Sequence, residues 1–123
     1  MKTLVAFFEI PAVDFDRAVS FYESIFNITL PAFGCEKEKM AFFIQEEKYV
    51  GAISFAPDFL PSPNGVLIHF SCDDIEATLS AITNNGGKIV TPKTKIYSNN
   101  CDAGYFAVFS DCEGNRIGLH SDK

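Results

Sequence analysis

The sequence predicts an α+β fold that consists of two tandem β-α-β-β-β modules, and three observations lead to this prediction. First, the segments Phe7–Tyr22 and Leu67–Ile82 each contain an apolar stretch, an acidic residue and then an amphipathic stretch. Second, one constant shift aligns Asp14 with Asp74 and needs no gap through the amphipathic stretch. Third, the proline-rich segment 57–65 separates the two copies and is typical of a linker.

Each copy predicts one helix with a recognisable start and end. Asp14 and Asp74 are expected to be N-caps, because aspartate accepts hydrogen bonds from the free amides of a first helical turn. Apolar residues then recur at helical spacing, as Phe15, Ala18, Val19, Tyr22, Ile25 and Phe26 in the first copy and as Ile75, Leu79 and Ile82 in the second. Pro31 limits the first helix, and Gly86-Gly87 is expected to end the second.

Apolar segments after each helix predict the remaining strands. They lie near 28–30, at 40–45 and at 50–56 in the first half, and at 88–92, 104–110 and 116–121 in the second. The residues Asp111–Asn115 are typical of a hairpin turn. We therefore expect one domain, with a module at about 1–56, a linker at 57–65 and a module at about 66–123. A half of this size buries too little surface to be stable alone, so the two sheets are expected to curve around a shared cup.

The segment 93–104 is long for a connection inside a module, and we predict that it is a loop. Two descriptions of this loop are open: a lid over the cup, or a solvated loop or dimer contact. The sequence favours the second description. A lid would contribute Lys95, Tyr97, Asn99, Asn100 and Cys101 to the ligand site.

Composition excludes several classes of function. Hydrophobic residues make up 47% of the 123 residues and include 13 Phe, so the chain can form a core. A net charge of −6 argues against a nucleic-acid partner, which requires a basic surface. We find no signal-length or membrane-spanning apolar segment, so we expect a cytoplasmic protein without a membrane partner. The four cysteines, which lack a C-x-x-C pair, are expected to be free thiols: Cys35, Cys72, Cys101 and Cys112.

Two motifs give the chain a family resemblance. The R-A-x-x-F-Y motif of Arg17–Tyr22 and the D-x-E-G-N motif of Asp111–Asn115, within paired modules, resemble the vicinal oxygen chelate superfamily. That superfamily includes glyoxalase I, fosfomycin-resistance proteins, extradiol dioxygenases and bleomycin-binding proteins. The resemblance covers nearly the whole chain and implies a homodimer, but these motifs are shared by proteins with different reactions, so the fold alone does not define the function.

The resemblance also implies a divalent metal in the cup, held by the first and last strands of each module. The motifs place the four ligand positions at Phe7, Ser54, Leu67 and Gly118. Only Ser54 offers even a weak oxygen ligand, whereas a divalent metal needs three or four oxygen or imidazole ligands. We therefore predict no cofactor at the standard site and no glyoxalase I activity by the standard mechanism.

A second layer of residues is expected beside those positions, because residues two apart in a strand share a face. This layer contains Glu9, Ala56, His69 and His120. Glu9, His69 and His120 would form a displaced metal site, since two histidines and a carboxylate match a non-haem iron site. Glu9 and His69 are alternatively candidates for general acid–base catalysis. A purely structural role for all three residues is the third alternative.

Three functions follow from these residues. The first is the binding of a small organic molecule in an apolar cup without the standard metal. The second is a metal-independent or displaced-metal lyase or isomerase related to lactoylglutathione lyase. The third is sequestration of a drug, which the acidic charge favours slightly if the drug is cationic. Besides the catalytic candidates Glu9 and His69, the candidate ligand-binding residues are Phe7, Ser54, Leu67, Gly118, His120, Tyr97 and Tyr105.

Overall fold

The computed structural model describes residues 3–97 and 102–123. The first module contains β1 (Phe8–Pro11), α1 (Phe15–Phe26), β2 (Ala32–Gly34), β3 (Lys39–Gln45) and β4 (Lys48–Phe55). The second contains β5 (His69–Ser71), α2 (Ile75–Asn84), β6 (Lys88–Tyr97), β7 (Asp102–Ser110) and β8 (Arg116–Ser121). The structure thus confirms the α+β prediction of two repeated β-α-β-β-β modules.

Each module forms its own four-stranded sheet with the same topology. Sheet 1 has the order β1-β4-β3-β2, and sheet 2 has the equivalent order β5-β8-β7-β6. The first strand of each module lies parallel to its last strand, whereas the other neighbours are antiparallel. The helix caps are also as predicted, because the side chains of Asp14 and Asp74 accept hydrogen bonds from the backbone amides of Arg17 and Ala77.

The predicted strand near 28–30 is wrong, because backbone amides of these residues donate hydrogen bonds to Glu23 of α1. Asn27 adopts a left-handed conformation that ends α1, and the amide of Ile28 donates to the carbonyl of Glu23. The Leu30 amide donates to the Glu23 carboxylate at 2.8 Å. Strand β2 therefore begins only after Pro31.

The predicted loop over 93–104 is also wrong, because most of this segment belongs to the β6–β7 hairpin. The lid alternative depended on this loop. Strand β6 continues to Tyr97, and Lys95 pairs with Tyr105 of β7. The sequence is misleading here because Pro92 interrupts the apolar pattern; the structure accommodates it in an edge strand with register shifts on either side. The candidates Asn99, Asn100 and Cys101 lie outside the described residues.

The two modules share one core on the side of the sheets that faces the helices. Ile10 and Ile53 of sheet 1 and Phe109 and Leu119 of sheet 2 are buried in a single cluster. Helix α1 packs against α2, and the buried Tyr22 contacts ring side chains of both modules. The helix-facing sides of the sheets are therefore occupied by protein, which leaves their opposite faces available for a site.

The two sequence motifs bind each other and join the modules. Glu113 accepts hydrogen bonds from the amides of Val13 and Asp14 at the start of α1, and it forms an ion pair with Arg17. Its negative charge lies at the positive end of the helix dipole, which is a favourable position. The R-A-x-x-F-Y and D-x-E-G-N motifs are thus two halves of one contact between modules.

Asp111 is the buried centre of this contact. Its carboxylate accepts a 2.6 Å hydrogen bond from the Tyr22 hydroxyl and further hydrogen bonds from Glu113 and Asn115. The Asn115 side-chain amide also donates to the Pro11 carbonyl of the first module. Burial raises the pKa of Asp111, and burial together with the charge of Asp111 raises the pKa of Tyr22 well above its usual value. We call Arg17, Tyr22, Asp111, Glu113 and Asn115 the inter-module network.

Two further predictions concern the cysteines and the membrane. Cys35, Cys72 and Cys112 are free thiols, whereas Cys101 lies outside the described residues. Across the ranges 3–97 and 102–123, none of the helices is both long enough and apolar enough to span a bilayer.

Candidate functional site

Each sheet has an open face on the side opposite the helices. Glu9 pairs with Ala52, and Ile10 pairs with Ile53 in the core. Because neighbouring residues of a strand point to opposite faces, Glu9 lies on the open side of sheet 1. We call this surface, which carries Phe7, Glu9, Phe42 and Ser54, the open face of sheet 1.

Aromatic rings cover much of the open face of sheet 1. The rings of Phe42 and Tyr49 stack with their centroids 4.7 Å apart and an interplanar angle of 16°. Phe33 and Phe7 lie on the two other sides of Phe42, at centroid distances of 5.9 and 6.3 Å. Phe33 is 59% exposed and Tyr49 is 52% exposed. These rings form a contiguous, partly exposed apolar surface.

A carboxylate lies on the same face. The buried Ser54 hydroxyl donates a 2.7 Å hydrogen bond to Glu9 Oε1. Glu9 is exposed, so its second oxygen remains accessible. The open face of sheet 1 therefore combines an oriented acceptor with aromatic rings, which is the combination expected of a site for an organic molecule.

The open face of sheet 2 carries both histidines of the chain. His69 pairs with Gly118, and its imidazole lies directly over this glycine, since a Cβ at Gly118 would be 2.3 Å from the His69 Nδ1. His120 pairs with Ser71, and its Nε2 donates a 2.9 Å hydrogen bond to the Ala103 carbonyl. A side chain at position 118 would displace His69.

The strand registers change one of the ligand positions expected from the family. Glu9 pairs with Ala52 as His69 pairs with Gly118. The counterpart of Gly118 in the first module is therefore Ala52 rather than Ser54, and Ser54 corresponds instead to His120. Ala52 has no ligand atom either, so the side chains at these positions do not fit a divalent metal.

The displaced metal site is not assembled within one chain. Glu9 lies beside Ser54 on sheet 1, whereas His69 and His120 lie on sheet 2. In the part of the chain that the structure describes, no three His, Cys, Asp or Glu side chains form a group that would hold a metal ion. Glu9 and His69 are therefore separate candidates rather than a pair within this chain.

The remaining candidate residues lie in different surroundings. Phe7 and Leu67 are partly exposed beside β1 and β5, and Tyr97 at the end of β6 is 86% exposed. Tyr105 packs against the core cluster, because it shares the strand face of the buried Ala107. The expectation that Tyr105 lines the cup is therefore corrected.

The sequence analysis missed two rings of the open face of sheet 1. Phe33 was overlooked because the predicted strand near 28–30 ends before it, and Tyr49 because it lies between the predicted strands at 40–45 and 50–56. In the structure the turn contains Glu46 and Glu47, both with positive φ, so β4 begins earlier and includes Tyr49. The register shift between Phe43 and Ile44 brings the Tyr49 ring onto the face of Phe42, and alternation along β4 does not signal this, because Gly51 pairs with Phe43 on the core face.

Comparisons with known proteins agree with this architecture. The family model for the Glyoxalase/Bleomycin resistance protein/Dioxygenase superfamily matches residues 4–119. A glyoxylase-like domain-containing protein of Didymella fabae is 31% identical to this chain, with 87% of this chain and 84% of that protein covered.

Two solved structures show the same fold at low identity. A glyoxalase/bleomycin resistance protein/dioxygenase family enzyme from Burkholderia phytofirmans has a TM-score of 0.70 and 15% identity, with 97% of this chain and 98% of that chain covered. A glyoxalase I variant from Zea mays has a TM-score of 0.72 and 19% identity over 93% of this chain. The match covers only 44% of the Zea mays chain, so this chain corresponds to less than half of that enzyme.

Proposed function

Since the chain belongs to the glyoxalase/bleomycin resistance protein/dioxygenase superfamily, we propose that it binds a small organic molecule on the open face of sheet 1. The observation that carries this proposal is the exposed ring cluster of Phe7, Phe33, Phe42 and Tyr49 beside the Glu9 carboxylate. The rings supply apolar contact, and Glu9 and Ser54 supply orientation. No standard divalent metal takes part in this proposal, because the side chains at its ligand positions do not fit one.

We further propose that a second copy of the chain completes the cup. Apolar residues before both β1 and β5 are exposed: Leu4, Val5, Val66 and Leu67. Exposed apolar surface of this kind is typical of an interface. A two-fold dimer would place the open face of sheet 1 of one copy opposite the open face of sheet 2 of its partner, and would thereby bring Glu9 towards a histidine of the other chain.

A ligand screen tests the binding function. We expect at least one metabolite or drug to raise the Tm of the protein, because a ligand specific to the native state stabilises it. Phe42→Ala should weaken binding of that compound by about tenfold, since it removes the ring that contacts the other three. Phe59→Ala, which changes an exposed ring in the linker, is the matched control. Equal affinity of the Phe42→Ala variant and the wild type would contradict the assignment.

Sedimentation of the purified protein tests the dimer. We expect a dimer for the wild type and a monomer for Leu67→Glu, because the substitution places an unpaired charge within the apolar interface. Leu60→Glu introduces the same charge at an exposed leucine of the linker and should remain a dimer. A monomeric wild type would exclude the shared cup and leave a single open face as the binding surface.

Catalysis at the same face is the second candidate function. The Ser54 hydrogen bond fixes one oxygen of Glu9 and leaves the other free to accept a proton from a ligand. If the compound found in the screen is converted to a product, Glu9→Gln should abolish this conversion and leave its binding largely intact. Binding without conversion would favour a sequestering protein over a lyase or isomerase.

A further inference from the structure

A cavity of about 910 Å³ lies between the two modules. It is bounded by the β3–β4 hairpin, the carboxyl end of α1, the edge strand β5 and the amino end of α2. None of the four rings on the open face of sheet 1 contributes to its lining. Its volume is within the range of about 300–1,000 Å³ that is usual for small-molecule sites. The lining does include His69 and His120 of sheet 2, so the cavity is separate from the open face of sheet 1 and adjoins the histidine side of the proposed cup.

The internal repeat shows why protein side chains do not fill this space. At the amino end of α1, the five-residue turn Asp111–Asn115 of the other module fills the equivalent position, and Arg17 binds Glu113 there. At the amino end of α2, the facing turn consists of only Glu46 and Glu47. Ala77 occupies the position that corresponds to Arg17. A shorter turn and a smaller side chain thus leave unfilled a volume that protein fills in the other half.

The inner wall of the cavity consists of aromatic rings. Phe70 lies 4.8 Å from Phe26, 5.2 Å from Phe43 and 5.7 Å from Phe8, measured between ring centroids. All four rings line the cavity. They present an apolar surface whose ring faces and edges accommodate an aromatic or alkyl group.

The rim of the cavity is acidic. Asp73 and Asp122 contribute to it, and within the described ranges their carboxylates make no hydrogen bond or ion pair. Asp74 also lines the rim, but its side chain caps α2. Among the described lining residues Lys123 is the Lys or Arg side chain, His69 and His120 add two imidazoles, and the protein as a whole carries a net charge of −6. The rim therefore favours a positively charged group over a negatively charged one.

From this arrangement we infer a second binding site, which takes an organic cation with an aromatic or alkyl body. The body of the ligand packs against Phe26, Phe43 and Phe70, and its ammonium group lies at the rim near Asp73 and Asp122. Rings and carboxylates both attract a cation, and the rings add dispersion contacts that a hydrated metal ion does not make.

Two size-matched fluorescent probes test the inference: 2-(1-naphthyl)ethylammonium and 3-(1-naphthyl)propanoate. The chain contains no Trp, so naphthyl emission can be followed without tryptophan background. We expect the full-length protein to bind the ammonium at least about tenfold more tightly than the carboxylate, in keeping with one cation–π contact and two nearby carboxylates. Equal affinities, or no binding of the ammonium, would overturn the inference.

Variants locate the bound probe. Ala77→Phe fills the mouth of the cavity and should weaken ammonium binding by about tenfold or more. Ser80→Phe adds the same ring at an exposed position of α2 outside the cavity and is its control. Asp73→Asn combined with Asp122→Asn should remove the preference for the ammonium but retain naphthyl binding. The control, Asp16→Asn combined with Glu76→Gln, should leave the preference for the ammonium unchanged. If Phe42→Ala lowers ammonium affinity and Ala77→Phe does not, the probe occupies the cup, and the second site is excluded.

Discussion

Replacing Asp111 by alanine is expected to lower the free energy of unfolding by about 3–4 kcal/mol, which is a large fraction of the stability of a small protein. The substitution removes the acceptor for the Tyr22 hydroxyl, and Tyr22 is fully buried. It also leaves the backbone amides of Glu113 and Asn115 without their partner. Each buried donor that loses its acceptor costs about 1–3 kcal/mol.

Urea denaturation of three variants measures this effect. Asp111→Asn retains one carbonyl acceptor, so its loss of stability should be intermediate. Asp16→Ala removes an exposed carboxylate from the first turn of α1 and should change stability by about 0.5 kcal/mol at most. If Asp111→Ala and Asp16→Ala are equally mild, the inter-module network does not stabilise the fold.

The pH dependence of the same variants has a defined sign. Burial raises the pKa of Asp111 above its ordinary value of 3.8, so the folded protein binds this proton more strongly than the unfolded chain. The resulting stabilisation is fully present below the ordinary pKa and is lost as the pH rises through the raised pKa of the folded state. Wild type should therefore lose stability relative to Asp111→Asn as the pH rises through this interval, and the opposite trend would contradict the assignment.

Local patterns were sufficient to predict most of the fold. Asp14 and Asp74 cap the helices as expected, and the apolar stripes after them face the core. Strand β8 was predicted at its observed residues, because its alternation and preceding turn are both regular. The errors occur where a distant partner decides the structure: Pro92 is tolerated only because β6 is an edge strand that pairs with β7.

The candidate site was less predictable than the fold. Alternation predicts which side of its strand Glu9 or His69 occupies, but it contains no distance between the two residues, and they lie on separate sheets. The Ser54–Glu9 hydrogen bond depends on the register of β1 against β4, which no local pattern specifies. The cavity beside α2 arises from the unequal lengths of two turns, so only the assembled modules show it.

The neighbouring residues Phe42 and Phe43 provide the second large effect, because they point to opposite faces of β3. Phe43 is 5% exposed and contacts the rings of Phe8, Tyr22 and Phe70. Its replacement by alanine should cost about 3–5 kcal/mol of stability, as is usual for a buried phenylalanine. Phe42 instead contacts rings on the open face, so Phe42→Ala should cost about 1 kcal/mol.

Thermal and urea unfolding of both variants, measured without ligand, compares the two faces directly. The two substitutions change the same residue type at neighbouring positions of one strand. A difference in stability between the two variants therefore shows on which side of the sheet the core lies. Ligand binding should show the reverse order, with Phe42→Ala the more damaging variant in the screen. Equal losses of stability would mean that a partner buries the open face of sheet 1 as completely as the helices bury the other side, and the face would then be an interface rather than a binding wall.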